Sequence, residues 1–481
     1  MVSAPLRWSS RLLATLLVLA FSFGALGATA APPAAAEQTA GVQAHLLWSR
    51  YDAADRERML DRAKGAGVGM VRVDLGWASL EQDGKGRYNA WYLQRIDHVV
   101  DQAEARGIEV LFTLWETPCW ASTAPAALKQ GCAGNWWERE VQRYPPANAS
   151  DFGDALAFLT NRYGRRVAAW EIWNEPNHDH FFKARDKVSA YAALVKAAYP
   201  AAKAADPGST ILAGSLADSD YQFTEALLDK GVADKFDAWS VHPYSEDRSP
   251  LHPGIPGWEK KSFAQGVPAV RRTLLRHGQV KPIWLTEFGW STCTIRGQAA
   301  YENCVDPATQ ATYLQQAFRH MRSWSYVPVG ITFNLVDTSD NRADRVDNYG
   351  LLHENGAAKP AYTALRTAAT ALRRAPAPPV ARAPSARQRP RGLLLRVFRR
   401  NGRSYVAGHL PVGRTVRVKL HRWKRSIPRF SHRVSYNQLI RVEKKGRFRH
   451  RISLGATRNG KWLVVAKARR LPGRAASAVL R

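Results

Sequence analysis

Ala168-Ala-Trp-Glu-Ile-Trp-Asn-Glu-Pro-Asn177 begins as an apolar run and ends on Asn174, Glu175 and a proline. Its length and closing proline make Ala168–Glu175 a buried strand that stops where polar side chains emerge. Helix-like segments flank it, Asp151–Tyr163 before and Lys187–Ala205 after, and the next apolar run is Thr210–Gly214. The alternation continues outward in both directions. Further strand-like runs are Val42–Trp48, Met70–Trp77, Ile108–Trp115, Phe236–His242, Pro282–Glu287 and Gly330–Val336. Helix-like segments between them are Ala53–Ala66, Trp91–Arg106, Tyr221–Lys230, Gly266–His277 and Pro307–Trp324, with a last one from near Pro360. Eight strand–helix units between residues 41 and 373 predict an α/β chain folded as a TIM (β/α)8 barrel. A doubly wound sheet is the rival, but no Gly-x-Gly-x-x-Gly follows the first strand, which argues against a nucleotide-binding version.

The flanks differ from this region. Arg7 and Arg11 precede an apolar run, Leu12–Leu26, and Ala28 and Ala30 stand as an Ala-x-Ala cleavage site, so residues 1–36 are expected to be a signal peptide and mature tail. The run is short for a bilayer span, and no other stretch approaches that length, so no transmembrane segment is expected after cleavage. Residues 374–391, rich in Ala, Pro and Arg, form the expected linker. Beyond it, short runs at Leu393–Phe398, Tyr405–Leu410, Thr415–Leu420, Phe448–Leu454 and Trp462–Ala466 predict a small all-β, sandwich-like domain over 392–481.

Charge is concentrated there. From Ala375 to Arg481 stand 29 Lys and Arg against one acid, Glu443, whereas the rest of the chain holds 41 against 39. The net charge of +30 therefore describes the tail and not the barrel. Hydrophobic residues make up 45% of the 481, ample for a large core. Four cysteines fit export. They allow three pairings, of which Cys119 with Cys132 and Cys293 with Cys304 closes each local loop most simply. Zinc is the rival reading, but no close Cys-x-x-Cys pair is present.

Cleavage of a glycosidic bond needs an acid at the leaving oxygen and a carboxylate below the anomeric carbon. In a barrel such groups belong at the C-terminal ends of strands. Glu175 ends the fourth predicted strand, and Glu287 ends the seventh in Pro282-Ile-Trp-Leu-Thr-Glu-Phe-Gly289. Asn174-Glu175-Pro176 followed by Thr286-Glu287-Phe288-Gly289 resembles glycoside hydrolase clan A, families 39 and 5 above all, over about Val42 to Leu372. The resemblance implies that Glu175 is the general acid/base, Glu287 the nucleophile, and Asn174 a ligand of the sugar 2-hydroxyl. It implies a bond from Arg72, in Val71-Arg72-Val73-Asp74-Leu75-Gly76-Trp77, to the nucleophile, whose anion an opposite charge favours. It further implies that His242 and Tyr244, on one face of the sixth strand, orient the glutamates. Asp74 and Glu171 are expected to be structural partners of this charge network.

Trp77, Trp115, Trp120, Trp136, Trp137, Trp173 and Trp290 fall at strand ends or in loops of the same face, where aromatic rings either stack on sugars or pack the barrel. Trp77, Trp115 and Trp290 are taken as substrate-binding candidates. Many relatives place a tryptophan at the end of strand eight, where this chain has Phe333 and Asn334. His178-Asp179-His180 is expected in a loop bordering the cleft. The acids from Asp337 to Asp347 lack the glycine and terminal glutamate of a calcium loop, so neither a metal nor a cofactor is assigned.

The expectation is a secreted, extracellular enzyme, retaining in mechanism, acting on a polysaccharide or oligosaccharide. A transglycosylase with the same glutamates, and a non-catalytic cell-surface glycan-binding protein, are the alternatives. The basic C-terminal domain is expected to hold an anionic cell-surface or wall polymer. No groove-reading motif for specific nucleic acid is present.

Overall fold

The computed structural model describes residues 38–374, apart from 131, 133–136, 255–257 and 298–302, together with strand backbone between 394 and 480. The expected signal peptide, and the expected linker beyond Arg374, lie outside the described residues. The chain divides into two compact units, Met1–Val380 and Ala381–Arg481.

The first unit is a closed barrel of eight parallel strands: β1 (Thr39–Gln43), β2 (Met70–Gly76), β3 (Glu109–Trp115), β4 (Ala169–Ile172), β5 (Ile211–Ala217), β6 (Ala238–His242), β7 (Ile283–Phe288) and β8 (Val329–Thr332). Each strand pairs with the next, and β1 closes on β8 through Thr39–Val329 to Val42–Thr332. One long helix follows each strand: α1 (Ala53–Gly65), α2 (Ala90–Ala105), α3 (Ala149–Tyr163), α4 (Lys187–Ala205), α5 (Tyr221–Asp229), α6 (Phe263–Arg276), α7 (Pro307–Met321) and α8 (Pro360–Arg374). Asp52, Asn89, Asn148, Asp186, Asp220, Ser262 and Asp306 each accept an amide hydrogen of the first turn of α1 to α7. Each such cap is worth about 1 kcal/mol.

Strand periodicity sorts the side chains into two layers. Val71, Val73 and Leu75 of β2, and Val110, Phe112 and Leu114 of β3, face the helices in the main core. Met70, Leu111, Ala169, Leu212, Ala238 and Trp284 form a separate apolar cluster drawn from neighbouring strands, the filled interior expected of this barrel. Two residues further along β2 and β4, the same inward face carries Arg72 and Glu171, both fully buried. Charge thus replaces hydrocarbon above the plug, towards the C-terminal mouth.

Strand ends differ from the sequence expectation where apolar runs continue into packed loops. The first strand stops at Gln43, although Ala44, Leu46 and Leu47 stay buried, because the loop folds over the barrel mouth. Both cysteine pairs are disulfides, with Cα atoms 5.9 Å apart for Cys119–Cys132 and 5.4 Å for Cys293–Cys304. Among the described residues no helix is long and apolar enough to cross a membrane.

In the second unit the described strands are β9 (Leu394–Arg400), β10 (Arg403–His409), β11 (Thr415–Lys424), β12 (Arg429–Arg441), β13 (Arg447–Ile452), β14 (Trp462–Ala468) and β15 (Ala475–Leu480). They form a three-stranded sheet, β13-β10-β9, and a four-stranded one, β12-β11-β14-β15. β12 and β15 had no counterpart among the strands expected from sequence.

Candidate active site

Arg72 is the centre of the mouth. From β2 its Nε donates to Glu171 at 2.9 Å, Nη1 to Glu287 at 2.6 Å and to Gln43 at 3.0 Å, and Nη2 to the Asn174 Oδ1 at 2.9 Å. Asp74 lies 3.7 Å from the same guanidinium and accepts from Gln43 at 2.8 Å. Thr113 adds a 2.7 Å hydrogen bond to Glu171. A fully buried guanidinium is tolerable only when its donors and charge are met, and this shell meets them. One cation therefore ties β1, β2, β4 and β7 together.

Glu287 is placed by a break in alternation. Leu285 packs outward in the main core, and strict period two would send Glu287 the same way. The β7–β8 ladder shifts register between Leu285 and Phe288, and Glu287 faces Arg72 instead. Gly289, next in the motif, has no room for a side chain, since a Cβ would collide with the Phe333 carbonyl oxygen. Its partner Glu175 lies beyond the end of β4. Trp173 and Glu175 both have left-handed backbones, φ 67° and 43°. For residues with a Cβ this costs about 1–3 kcal/mol each, a strain concentrated at functional sites.

His242 and Tyr244 complete the group. His242 Nδ1 is 2.8 Å from Glu175 Oε1 and 3.6 Å from Glu287 Oε2, and its Nε2 is 3.2 Å from Ser215 Oγ. Tyr244 donates to Glu287 Oε2 at 2.8 Å. One oxygen of each glutamate and one His242 nitrogen all lie within 4.8 Å of one another. Three such atoms could also approach a cation, yet Arg72 already balances Glu287 and Tyr244 occupies its second oxygen.

The two carboxyls differ electrostatically. Burial pushes Glu175 up to about 7, against weaker pulls from His178 and Arg72. Burial also raises Glu287, while His242 and Arg72 pull it down. Burial lowers His242, against opposing pulls from Glu287, Glu171 and Asp74, and so disfavours its charged form. Glu287 thus holds direct hydrogen bonds from an arginine and a phenol, and Glu175 has one imidazole nitrogen. Bonds to the charged form favour that form, so Glu287 is the better anion and Glu175 the better acid.

The cleft over this group encloses about 650 Å³. Trp115, Asn174, Glu287, His180 and Phe333 line it, as do Trp48, Trp91 and Glu116. Trp48 and Trp91 are 38% and 53% exposed, open enough to meet a ligand at the rim. Trp77 and Trp290 do not reach it. Trp77 is fully buried, edge-on to Phe152 and Trp120, with its indole nitrogen bonded to Glu81. Trp290 is 2% exposed and donates to the Arg248 carbonyl. Both pack beneath the loops of the mouth and are not among the residues that line the cleft. Trp173 and Trp120 likewise bond backbone carbonyls, of Phe181 and Glu81. Trp136 lies outside the described residues. Asp337 accepts from the buried Lys359 at 2.7 Å, and Asp347 from Thr338 and Ser339.

A filled (β/α)8 barrel with paired glutamates at its C-terminal mouth defines the class as glycoside hydrolase. The cellulase family, glycosyl hydrolase family 5, matches residues 28–328, and the chain belongs to that family. Among solved structures, a family 39 glycoside hydrolase from the gut symbiont Bacteroides cellulosilyticus WH2 is similar at 20% identity and TM-score 0.54, over 87% of this chain and 80% of its own. A glucosidase from Croceicoccus marinus aligns at 14% identity and TM-score 0.52, over 88% and 94%. GH5_18 from Streptomyces cattleya, solved in complex with GlcNAc, aligns at 18% identity and TM-score 0.52, over 74% and 83%. At these identities the likeness is one of fold. No curated protein sequence matches this chain.

Proposed function

We propose that the protein is a secreted retaining glycosidase of oligosaccharides or polysaccharides, with Glu287 as nucleophile and Glu175 as acid/base. The observation that carries this reading is the approach of the two carboxyls, with oxygens inside 4.8 Å. Retaining enzymes hold their carboxyls about 5–5.5 Å apart, whereas inverting ones need about 6.5–9.5 Å to admit a water. The Glu287 carboxylate attacks the anomeric carbon and forms a glycosyl ester, while Glu175 gives its proton to the departing oxygen. Glu175, now ionised, takes a proton from water, whose oxygen displaces Glu287 and restores the resting pair. Asn174 accepts from Arg72 at its Oδ1 and keeps its amide donors for a sugar hydroxyl. Arg72 and Tyr244 hold the nucleophile ionised and aimed.

Glu287→Ala should abolish turnover of aryl glycosides. Glu175→Ala should spare substrates with good leaving groups and cripple poor ones. NMR of the first-formed product should give the substrate's own anomer. An inverted product would remove the assignment.

The same reading covers the second unit. The unit is proposed to be a sandwich-like module that holds the enzyme on an anionic wall or cell-surface polymer, supported by its 29 basic residues against one acid. Self-repulsion of that size destabilises a compact unit unless a counter-surface offsets it. Export is supported by the apolar segment after Arg11 and by the two disulfides, which persist in oxidising surroundings.

A further inference from the structure

Glu116 follows directly on β3 and belongs to no motif of the sequence. It lines the cleft beside Trp115, Asp74, Asn174 and Glu287. Its backbone is left-handed, φ 71°, as at Trp173 and Glu175 after the neighbouring β4. A glutamate seldom adopts this conformation, and such residues cluster where a site demands a particular aim. Gly76, at the end of β2, makes the room: a Cβ there would stand 2.5 Å from Glu116 Oε2.

The carboxyl itself is unmet. Among the described residues, the side-chain hydrogen bonds that Asp74, Glu171, Glu175 and Glu287 each make have no counterpart at Glu116. The charged groups that face it are Asp74 on β2, which raises it, and Arg143 in the loop after β3, which lowers it. Burial acts more strongly than either, and the group is pushed up to about 8. Arg50, the cation on the cleft rim, is already committed to the Thr338 carbonyl, the Tyr51 hydroxyl and the ring of Trp48. The Glu116 carboxyl opens onto the cleft, where a hydroxyl of a bound ligand can meet it.

We propose that Glu116 is a specificity-determining residue that hydrogen-bonds a hydroxyl of the sugar bound against Trp115, next to the Glu175–Glu287 pair. The carboxylic acid both donates and accepts, which suits a hydroxyl, and Trp115 offers an apolar ring beside it for the C–H face of the sugar. The proposal rests on the glycosidase reading.

The test compares the full chain with Glu116→Ala and Glu116→Gln on 4-nitrophenyl β-glucoside, β-mannoside, β-xyloside and β-cellobioside. On the best of these, Glu116→Ala should lose about 5- to 150-fold in kcat/KM, chiefly through KM. Glu116→Gln, which keeps a donor and an acceptor, should recover most of that loss. Neither variant should melt below the parent, because no protein contact of the carboxyl is removed. An unchanged kcat/KM in Glu116→Ala, a Gln variant as poor as Ala, or a lowered melting temperature in both would overturn the role. A parent chain inert on these four and on a panel of polysaccharides removes the hydrolase reading and this one with it, whereas cleavage indifferent to Glu116 removes this one alone.

Discussion

At the scale of single residues, the site turns on how two chemically identical side chains are made different. Glu287 accepts hydrogen bonds from Arg72 and Tyr244, and Glu175 meets the Nδ1 of His242. The consequence is measurable as pH dependence. Catalysis through Glu175 as acid requires its proton, so kcat/KM should fall as pH rises through about 7, the value to which burial pushes the group. The same shift acts on stability. The folded state holds this proton more tightly than the unfolded chain does, so the group destabilises the fold increasingly as pH climbs from the ordinary carboxyl range through about 7. Glu175→Gln, uncharged at every pH, should therefore melt close to the parent at pH 4 and above it at pH 8. Thermal unfolding of both proteins across that range checks the sign. A Gln variant less stable at pH 8 would mean that the carboxylate is favourably held after all. Arg72 is the converse case, a buried cation whose value lies in its partners. Glu171 and Asp74, expected from sequence to be structural, are two of them.

At the scale of elements, the site is assembled by loops that strand periodicity does not describe. The β7–α7 loop carries Trp290 under the mouth and is closed by Cys293–Cys304, 11 residues apart. A cross-link of that span is worth about 3 kcal/mol in the chain-entropy account. Replacing both cysteines by serine should lower the unfolding free energy by about 2–3 kcal/mol and raise KM more than it lowers kcat, since the loop, not the glutamates, is released. Denaturant unfolding and steady-state kinetics on one preparation separate the two effects. A change confined to kcat would place the bridge in the catalytic geometry itself. The Lys359–Asp337 pair does the comparable task after β8. Its ammonium is wholly buried and also donates to Thr292 and the Asn348 carbonyl, tying that loop to the β7 one.

At the scale of the whole molecule, composition divides the labour. The chain before Ala375 is nearly balanced in charge, and the 107 residues after it are almost purely basic. If the second unit serves as an anchor, a chain ending at Arg374 should hydrolyse a small soluble glycoside as fast as the full-length protein. Only the full-length protein should sediment with anionic wall material at low salt. That binding should weaken steeply as salt rises, as counterion release from a polyanion requires. Equal sedimentation of the two chains would remove the anchoring role.

The sequence by itself determined the barrel, the number of its strands and the identity of its two glutamates. Those rest on local signals: apolar runs of strand length, helical spacing between them, and Asn-Glu-Pro and Thr-Glu-Phe-Gly at two strand ends. The resemblance to clan A pointed to Arg72, His242 and Tyr244 as well, and period two set the last two on one face. What only the tertiary structure decided are the side chains whose aim depends on a broken pattern. Periodicity alone would turn Glu287 outward with Leu285, and the register shift against β8 brings it in. Trp173 shares a face with Glu171 by counting, yet its left-handed backbone sends the ring into the core beside Phe152 and Phe182. Seven tryptophans looked alike in sequence, and burial alone separates Trp77 and Trp290 from Trp115. Glu116 carried no signal at all, since a carboxyl acquires its character from what surrounds it, and its surroundings come from strands far apart in the chain.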